Sequence, residues 1–224
     1  MFKKVVTVAV AAVLTAGYAQ AQFKFGARAG FNLTNVSEKY ADGEKPSGDD
    51  KSSFKPGFQI GVVGEYALSD AFAIQPGIVF ATQGATYKWG EKAKTVIALN
   101  YLQVPINAQY KLDLGGAKLL LQAGPYLGFA LSGKYKNWDD EGKKVEPEDD
   151  ELAKIKIGSN KDEDDMKAFD FGLGLGAGVQ FGNIQAGVGY NLGLVNTAFR
   201  EEGDTKSFSK NNGLAITLTY LFGE

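Results

Sequence analysis

The sequence predicts an all-β fold: an eight-stranded antiparallel transmembrane up-and-down β-barrel with long extracellular loops and short periplasmic turns. Three observations predict it. Eight segments alternate apolar and polar residues, their connections alternate between tight and long, and aromatic residues collect at both ends of the apolar faces. A period of two indicates a strand with one apolar face. Because barrel strands average to neutral hydropathy, an apolar fraction of 44% is compatible with a membrane protein.

The N-terminus predicts a removable export signal. Lys3 and Lys4 precede an apolar run, and an Ala-Gln-Ala sequence at 19–21 supplies the small-residue pattern that signal peptidase cleaves. The apolar run is too short to span a membrane as a helix. We therefore expect a signal peptide over 1–21 and one outer-membrane β-barrel domain over 22–224 in the cell envelope of a Gram-negative organism.

The first alternating segment begins directly after the predicted cleavage site, over 23–34. Its outward positions are all apolar, and its inward positions are Lys, Arg, Gly, Asn or Thr. The same alternation recurs seven times, at 56–68, 72–83, 102–111, 119–132, 169–181, 184–192 and 214–222. Inward positions of these segments are mostly polar or Gly, and Ser132 is placed inward near the end of the fifth. Eight is an even number, as bacterial barrels require.

The connections distinguish a barrel from a soluble sandwich, which would also alternate. Tight turns at 69–70, 113–116 and 182–183 alternate with long polar loops, at 35–54, 88–95, 133–167 and 195–211. This arrangement is typical of outer-membrane barrels and places both termini in the periplasm. Outward aromatic residues also form two rings, as the two membrane interfaces favour. Near the long-loop ends these are Phe31, Phe58, Phe80, Phe129 and Phe171; near the tight turns they are Phe23, Tyr66, Phe72, Tyr110, Phe181, Tyr220 and Phe222.

The composition excludes several kinds of chemistry. The chain has no cysteine and no histidine, so it lacks thiolate metal ligands and the usual general base. The glycines at 172, 174, 176 and 178 lie on one face of a strand, whereas a phosphate-binding loop must open a helix. The 24 basic and 26 acidic residues indicate no nucleic-acid partner. We expect no catalytic residues, no cofactor and no metal site.

Two loop features leave alternatives open. The acid-rich loop 133–167 could bind Ca²⁺ or Mg²⁺, but it lacks the spacing of a calcium loop and reads better as a solvated, partly flexible segment. Trp89 and Trp138 could contact a glycan or protein partner. Equally, they could lie at headgroup level or pack the loop bases.

The inward face is predicted to carry a charged network that fills the lumen. Its members are Lys24, Arg28, Glu65, Lys111, Lys118 and Asp170. An eight-stranded barrel is just wide enough for side chains to fill, so these groups are expected to pair and close the interior. The expected partners of Glu65 are Lys24 and Arg28, which lie on the neighbouring strand.

Five runs carry a family resemblance. They are FGARAGFNL at 25–33, YLQVPI at 101–106, AGPYLG at 123–128, DFGLGLGAG at 170–178 and YLF at 220–222. In order and spacing they resemble the PorT-like outer-membrane β-barrel family common in Bacteroidetes. The resemblance implies a small barrel in the outer membrane. The founding member works in protein secretion, but no motif here singles out that role.

The function predicted from the sequence is a non-enzymatic barrel that serves envelope structure, surface interaction or protein export. The alternative is a small outer-membrane transport or gated-pore protein, and an enzyme comes third because no histidine is present. Expected partners are outer-membrane lipid and lipopolysaccharide, the barrel-assembly machinery during biogenesis, and an envelope or secretion protein.

Overall fold

Eight long strands close into one antiparallel barrel. A computed structural model describes residues 22–48, 51–147, 149–201 and 203–223, so the predicted signal peptide lies outside the described residues. The strands are β1 (Phe23–Lys39), β2 (Lys55–Ala67), β3 (Phe72–Lys88), β4 (Lys94–Asp113), β5 (Lys118–Trp138), β6 (Phe169–Phe181), β7 (Ile184–Gly193) and β8 (Phe208–Phe222). Each strand pairs with the next, and β1 pairs with β8, from Phe25 opposite Phe222 to Lys39 opposite Phe208. The predicted fold class is confirmed.

The barrel has a polar interior and an apolar exterior. Gln75 and Asp170 are 1% and 0% exposed, whereas Ile60 and Leu175 are 58% and 65% exposed. Such an inversion suits a barrel surrounded by lipid, where outward side chains meet hydrocarbon. Among the described residues, no helix is long and apolar enough to cross a membrane.

The aromatic side chains lie where the alternation predicts. At the long-loop end, Phe58 contacts Phe80 with ring centroids 6.1 Å apart. At the tight-turn end, Phe72 and Tyr110 are 5.1 Å apart, and Tyr220 with Phe222 forms an edge-on pair at the same separation. The apolar belt between the two rings defines the membrane-spanning part of each strand.

Three strands extend well past the apolar belt. β3 continues to Lys88 and β4 begins at Lys94, so both extend beyond the predicted segments 72–83 and 102–111 and leave 89–93 as the loop between them, and β5 runs to Trp138, into loop 133–167. The β4–β5 register shifts between Asn100 and Tyr101, so Leu131 is an extra residue in β5. Ser132 is therefore exposed and bonded to Asn100 at 2.9 Å, not inward as the alternation predicts. A bulge reverses the face of every residue beyond it in the strand, and the alternation of apolar and polar residues does not indicate this one.

Loop 133–167 is more ordered than the predicted solvated segment. Beyond the end of β5 it contains short strands at Lys144–Val145, Lys154–Ile155, Ile157–Gly158 and Met166–Lys167, with a 3-10 turn at Asp150–Ala153. Ile155 is buried against Leu99, Tyr101 and Ala130 inside the long-loop end of the barrel. The strand Lys154–Ile155 pairs with β5. Although the loop is polar overall, this pairing holds its apolar Ile155 over the end of the barrel.

Candidate functional site

A network centred on Glu65 fills the lumen at the tight-turn end. Glu65 Oε1 forms a salt bridge with Lys111 Nζ, and both side chains are 7% exposed. Glu65 Oε2 accepts hydrogen bonds from Gln185 Nε2 at 2.7 Å and from Gln75 Nε2 at 3.2 Å. Lys111 also donates to Gln180 Oε1 at 3.2 Å. A buried carboxylate needs such partners, because an unpaired charge in this interior would be costly.

Arg28 joins the same network through Gln75. Its Nη2 donates to Gln75 Oε1, and its Nε donates to Thr219 Oγ1 at 2.9 Å. Gln75 thus bridges Arg28 to Glu65. The network therefore draws side chains from seven of the eight barrel strands, all except β5, and the closed ring of strands brings them to one point.

The prediction that Glu65 pairs with Lys24 or Arg28 is wrong. Lys24 lies opposite Glu65 in the strand register, but its Nζ donates to Asn183 Oδ1 at 3.3 Å at the rim. Lys111 from β4 forms the salt bridge with Glu65 instead, because side chains can reach across so narrow a lumen. Lys118 lies half-buried at the same rim, opposite Asp113 and outside the network.

Asp170 is separate from the basic residues with which it was grouped. Its Oδ2 accepts from Asn211 Nδ2 at 3.0 Å and from Tyr126 OH at 3.5 Å, while Asn211 also donates to Tyr101 OH at 3.1 Å. Its Oδ1 has no hydrogen-bond partner among the described residues. This cluster lies under the apolar layer of Ile155, towards the long-loop end.

Only small spaces separate the two clusters. Cavities of about 60, 20 and 10 Å³ lie along the part of the lumen that the structure describes. The largest is bounded by Arg28, Gln103, Asn107, Gln122 and Tyr126. Spaces of this size hold from one to a few water molecules. None of these three spaces could hold a larger solute.

The two tryptophans do not form one surface. Trp89 is 53% exposed, stacks on Tyr87 at 6.4 Å, and donates through Nε1 to Thr95 Oγ1 at 3.1 Å. Trp138 lies under Lys94, whose Nζ is 4.7 Å from the ring centroid. Because Thr95 and Lys94 are successive strand residues, the tryptophans lie on opposite faces of the extended sheet.

Several aspartates of loop 133–167 bind its own backbone. Asp139 Oδ1 accepts from the amides of Glu141 and Lys143 at 3.0 and 2.8 Å, and Asp164 Oδ2 accepts from the amide of Asn160 at 2.8 Å. In the described part of the chain, no three acidic residues are grouped to hold a metal ion. These carboxylates shape turns.

Gln75, Gln180 and Gln185 occupy inward positions of the predicted segments 72–83, 169–181 and 184–192, but no role was predicted for them. Each links members of the network, because an amide can donate and accept at once: Gln75 accepts from Arg28 and donates to Glu65, Gln185 donates to both Glu65 and Gln180, and Gln180 accepts from Lys111. Asn211 was missed altogether, since the predicted last strand began at Leu214. The only available signal was the unusual density of inward glutamines.

The fold and the polar lumen together define a small outer-membrane β-barrel protein. The chain belongs to the family described as outer membrane protein beta-barrel domain, whose model matches residues 18–198. No curated protein sequence matches it.

Several solved outer-membrane proteins are similar to this chain. OprG from Pseudomonas aeruginosa shares 14% identity over 91% of this chain and 97% of its own, with a TM-score of 0.48. Ail of Yersinia pestis, solved with the heparin analogue sucrose octasulfate, shares 14% identity over 90% and 99%, with a TM-score of 0.40. Neisserial surface protein A shares 13% over 89% and 97%, also at 0.40. Likeness at this level says nothing about function.

Proposed function

We propose that this protein is a closed, non-enzymatic barrel of the PorT-like kind found in Bacteroidetes, which acts in envelope structure, surface interaction or protein export. The observation that carries the proposal is the Glu65 network, in which side chains from seven strands block the lumen. The absence of histidine and cysteine from the sequence supports a non-enzymatic role. With the lumen blocked, the working surface is the long-loop end, where β3, β4 and β5 project beyond the apolar belt.

The proposed orientation puts the long-loop end outside the cell and both termini in the periplasm. Partners in this arrangement are outer-membrane lipid and lipopolysaccharide, an envelope or secretion protein, and the barrel-assembly machinery during biogenesis. Crosslinking in intact cells, with photoreactive groups placed at exposed positions such as Trp89, would identify a protein partner.

Planar-bilayer recording tests the closed lumen. We expect the reconstituted wild-type protein to give no steady channels, because the Glu65 network and the small cavities leave no continuous path. A variant in which Glu65, Lys111 and Gln75 are all replaced by Ala serves as the positive control and should conduct if it folds. Reproducible channels from the wild type would instead identify a small transport or gated-pore protein.

Protease digestion of whole cells tests the orientation. External protease should cut within 139–165, which lies in the longest loop, while the tight turn at 69–70 stays intact. Permeabilised cells provide the control, since both sites are then reachable. First cleavage at 69–70 in intact cells would reverse the orientation, and a chain that is not heat-modifiable on detergent gels would contradict a folded barrel.

A further inference from the structure

A groove on the projecting part of the sheet is lined by positive charge. It has a volume of about 780 Å³ and lies between β2, β3, β4, β5 and the start of the segment after the 3-10 turn. Five lysines line it: Lys55, Lys94, Lys134, Lys136 and Lys154. Among the described residues that line it, none is acidic. We call this feature the basic groove.

Within the described residues, one of these five lysines forms a salt bridge. Lys154 forms a salt bridge with Glu151, and both side chains are largely exposed. In the residues that the structure describes, no carboxylate lies within 4 Å of the ammonium groups of the other four lysines. Lys94 rests on the ring of Trp138, which holds the ammonium in place without cancelling its charge. In the neighbouring loop, Asp139, Asp164 and Asp165 accept hydrogen bonds from backbone amides. The exposed Glu151 also interacts electrostatically with Lys134.

Lys55 shows the consequence of this crowding. It lies three residues beyond Phe58, outside the apolar belt, and is 8% exposed. Among the described residues, its ammonium group donates one hydrogen bond, to the carbonyl of Pro56 at 3.3 Å. Burial lowers the pKa of Lys55, and the nearby charge of Lys136 lowers it further. An anion bound between the two ammonium groups would remove this repulsion, since opposite charge favours the protonated form.

The groove is continuous with the lipid-facing surface. Phe58 and Leu131 line it, and they are also 53% and 56% exposed on the outer face of the barrel. Val96 and Ala98 extend the apolar lining between the lysines. A ligand that fills the groove therefore has two kinds of contact. It meets lysines beyond the membrane interface, and at the interface it meets apolar side chains that are compatible with hydrocarbon. A soluble polyanion would satisfy only the first of these two surfaces.

We propose that the basic groove binds the phosphate groups of an anionic membrane lipid, whose acyl chains lie against Phe58 and Leu131. The lipid belongs to the leaflet at the long-loop end, which the proposed orientation makes the outer leaflet. Lipid binding in the basic groove does not require a closed lumen. The bilayer recordings therefore test the closed lumen, and the lipid titration tests the groove, independently of each other.

The test uses the reconstituted full barrel and Trp138 as the reporter. In a Trp89→Phe background, Trp138 is the single tryptophan, because the sequence contains two. Phosphatidic acid is titrated into phosphatidylcholine vesicles that carry the protein, and Trp138 fluorescence is recorded. We expect a saturable change. Lys134→Gln with Lys136→Gln should weaken binding about 30-fold, from about 1 kcal/mol per lysine near a membrane surface, converted at 1.4 kcal/mol per tenfold.

The matched control is Lys92→Gln with Lys161→Gln. Both lysines are exposed and neither lines the groove, so the net charge falls equally while binding should stay within about twofold, below the fivefold or so that one lysine contact is worth. Heat-modifiable migration shows that each variant is a folded barrel. Three outcomes would each overturn the proposal. The first is an equal loss of binding in both double variants, and the second is the absence of a saturable change in the parent protein. The third is equally tight binding of inorganic pyrophosphate or a soluble sulfated glycan.

Discussion

Replacing Glu65 with Ala is expected to destabilise the barrel by about 3 kcal/mol, at the lower end for broken buried pairs. The substitution leaves Lys111 without its salt bridge and deprives Gln75 and Gln185 of their shared acceptor. Arg28, held against Gln75, then adds a second positive charge to the same enclosed space. The measurement is the free energy of unfolding from urea titration in lipid vesicles, followed by tryptophan fluorescence.

Two comparisons make the Glu65 result specific. Glu146→Ala breaks the exposed pair with Lys144 and should cost under about 1 kcal/mol, since exposed pairs contribute little. Adding Lys111→Met to Glu65→Ala should recover part of the loss, because the stranded cation is removed. If Glu65→Ala costs no more than Glu146→Ala, the network does not stabilise the barrel.

Gly172→Ala is the second large effect, with an expected cost of about 3 kcal/mol, at the upper end for overpacking. A Cβ at this position would lie 2.3 Å from the carbonyl oxygen of Leu192 and 2.5 Å from Cε1 of Tyr126. The backbone oxygen belongs to the neighbouring strand and cannot move without breaking the ladder. The substitution would also push Tyr126 against the Asp170 cluster.

Gly189→Ala on β7 is the matched control. Its Cβ would lie 3.2 Å from the carbonyl oxygen of Leu175, and its next neighbour is 3.8 Å away. With this space the change should stay within about 1 kcal/mol of wild type, because alanine also reduces the entropy of the unfolded chain. Equal unfolding free energies for the two variants would mean that glycine at 172 is not required by packing.

The contrast between these glycines shows where sequence reasoning stops. Alternation correctly assigned the glycines at 172, 174, 176 and 178 to a strand and not to a phosphate loop. It treats all inward glycines alike, however. Which of them must be glycine depends on the distance to the facing strand, and that distance is set by the twist and closure of the whole sheet.

The partner of Glu65 is a second feature that the sequence pattern does not determine. The sequence placed Lys24, Arg28 and Glu65 correctly on inward positions of paired strands, and the register puts Lys24 directly opposite Glu65. Register describes only nearest neighbours along the sheet, whereas the lumen also brings together strands that are far apart around the ring. Lys111 and Gln185 reach Glu65 from such strands, and no pairwise pattern identifies them.

The sequence by itself determined the strand number, the sorting of apolar and polar faces, and the positions of the tight turns, because all three follow from a period of two and local turn chemistry. Only the tertiary structure decided the partner of Glu65, the isolation of Asp170, the outward turn of Ser132 and the gathering of five lysines in the basic groove. Each of these depends on closure of the ring, on one bulge, or on a loop folding back onto β5. Such features arise from contacts between residues that are distant in the chain, and the periodicity of the sequence carries no information about those contacts.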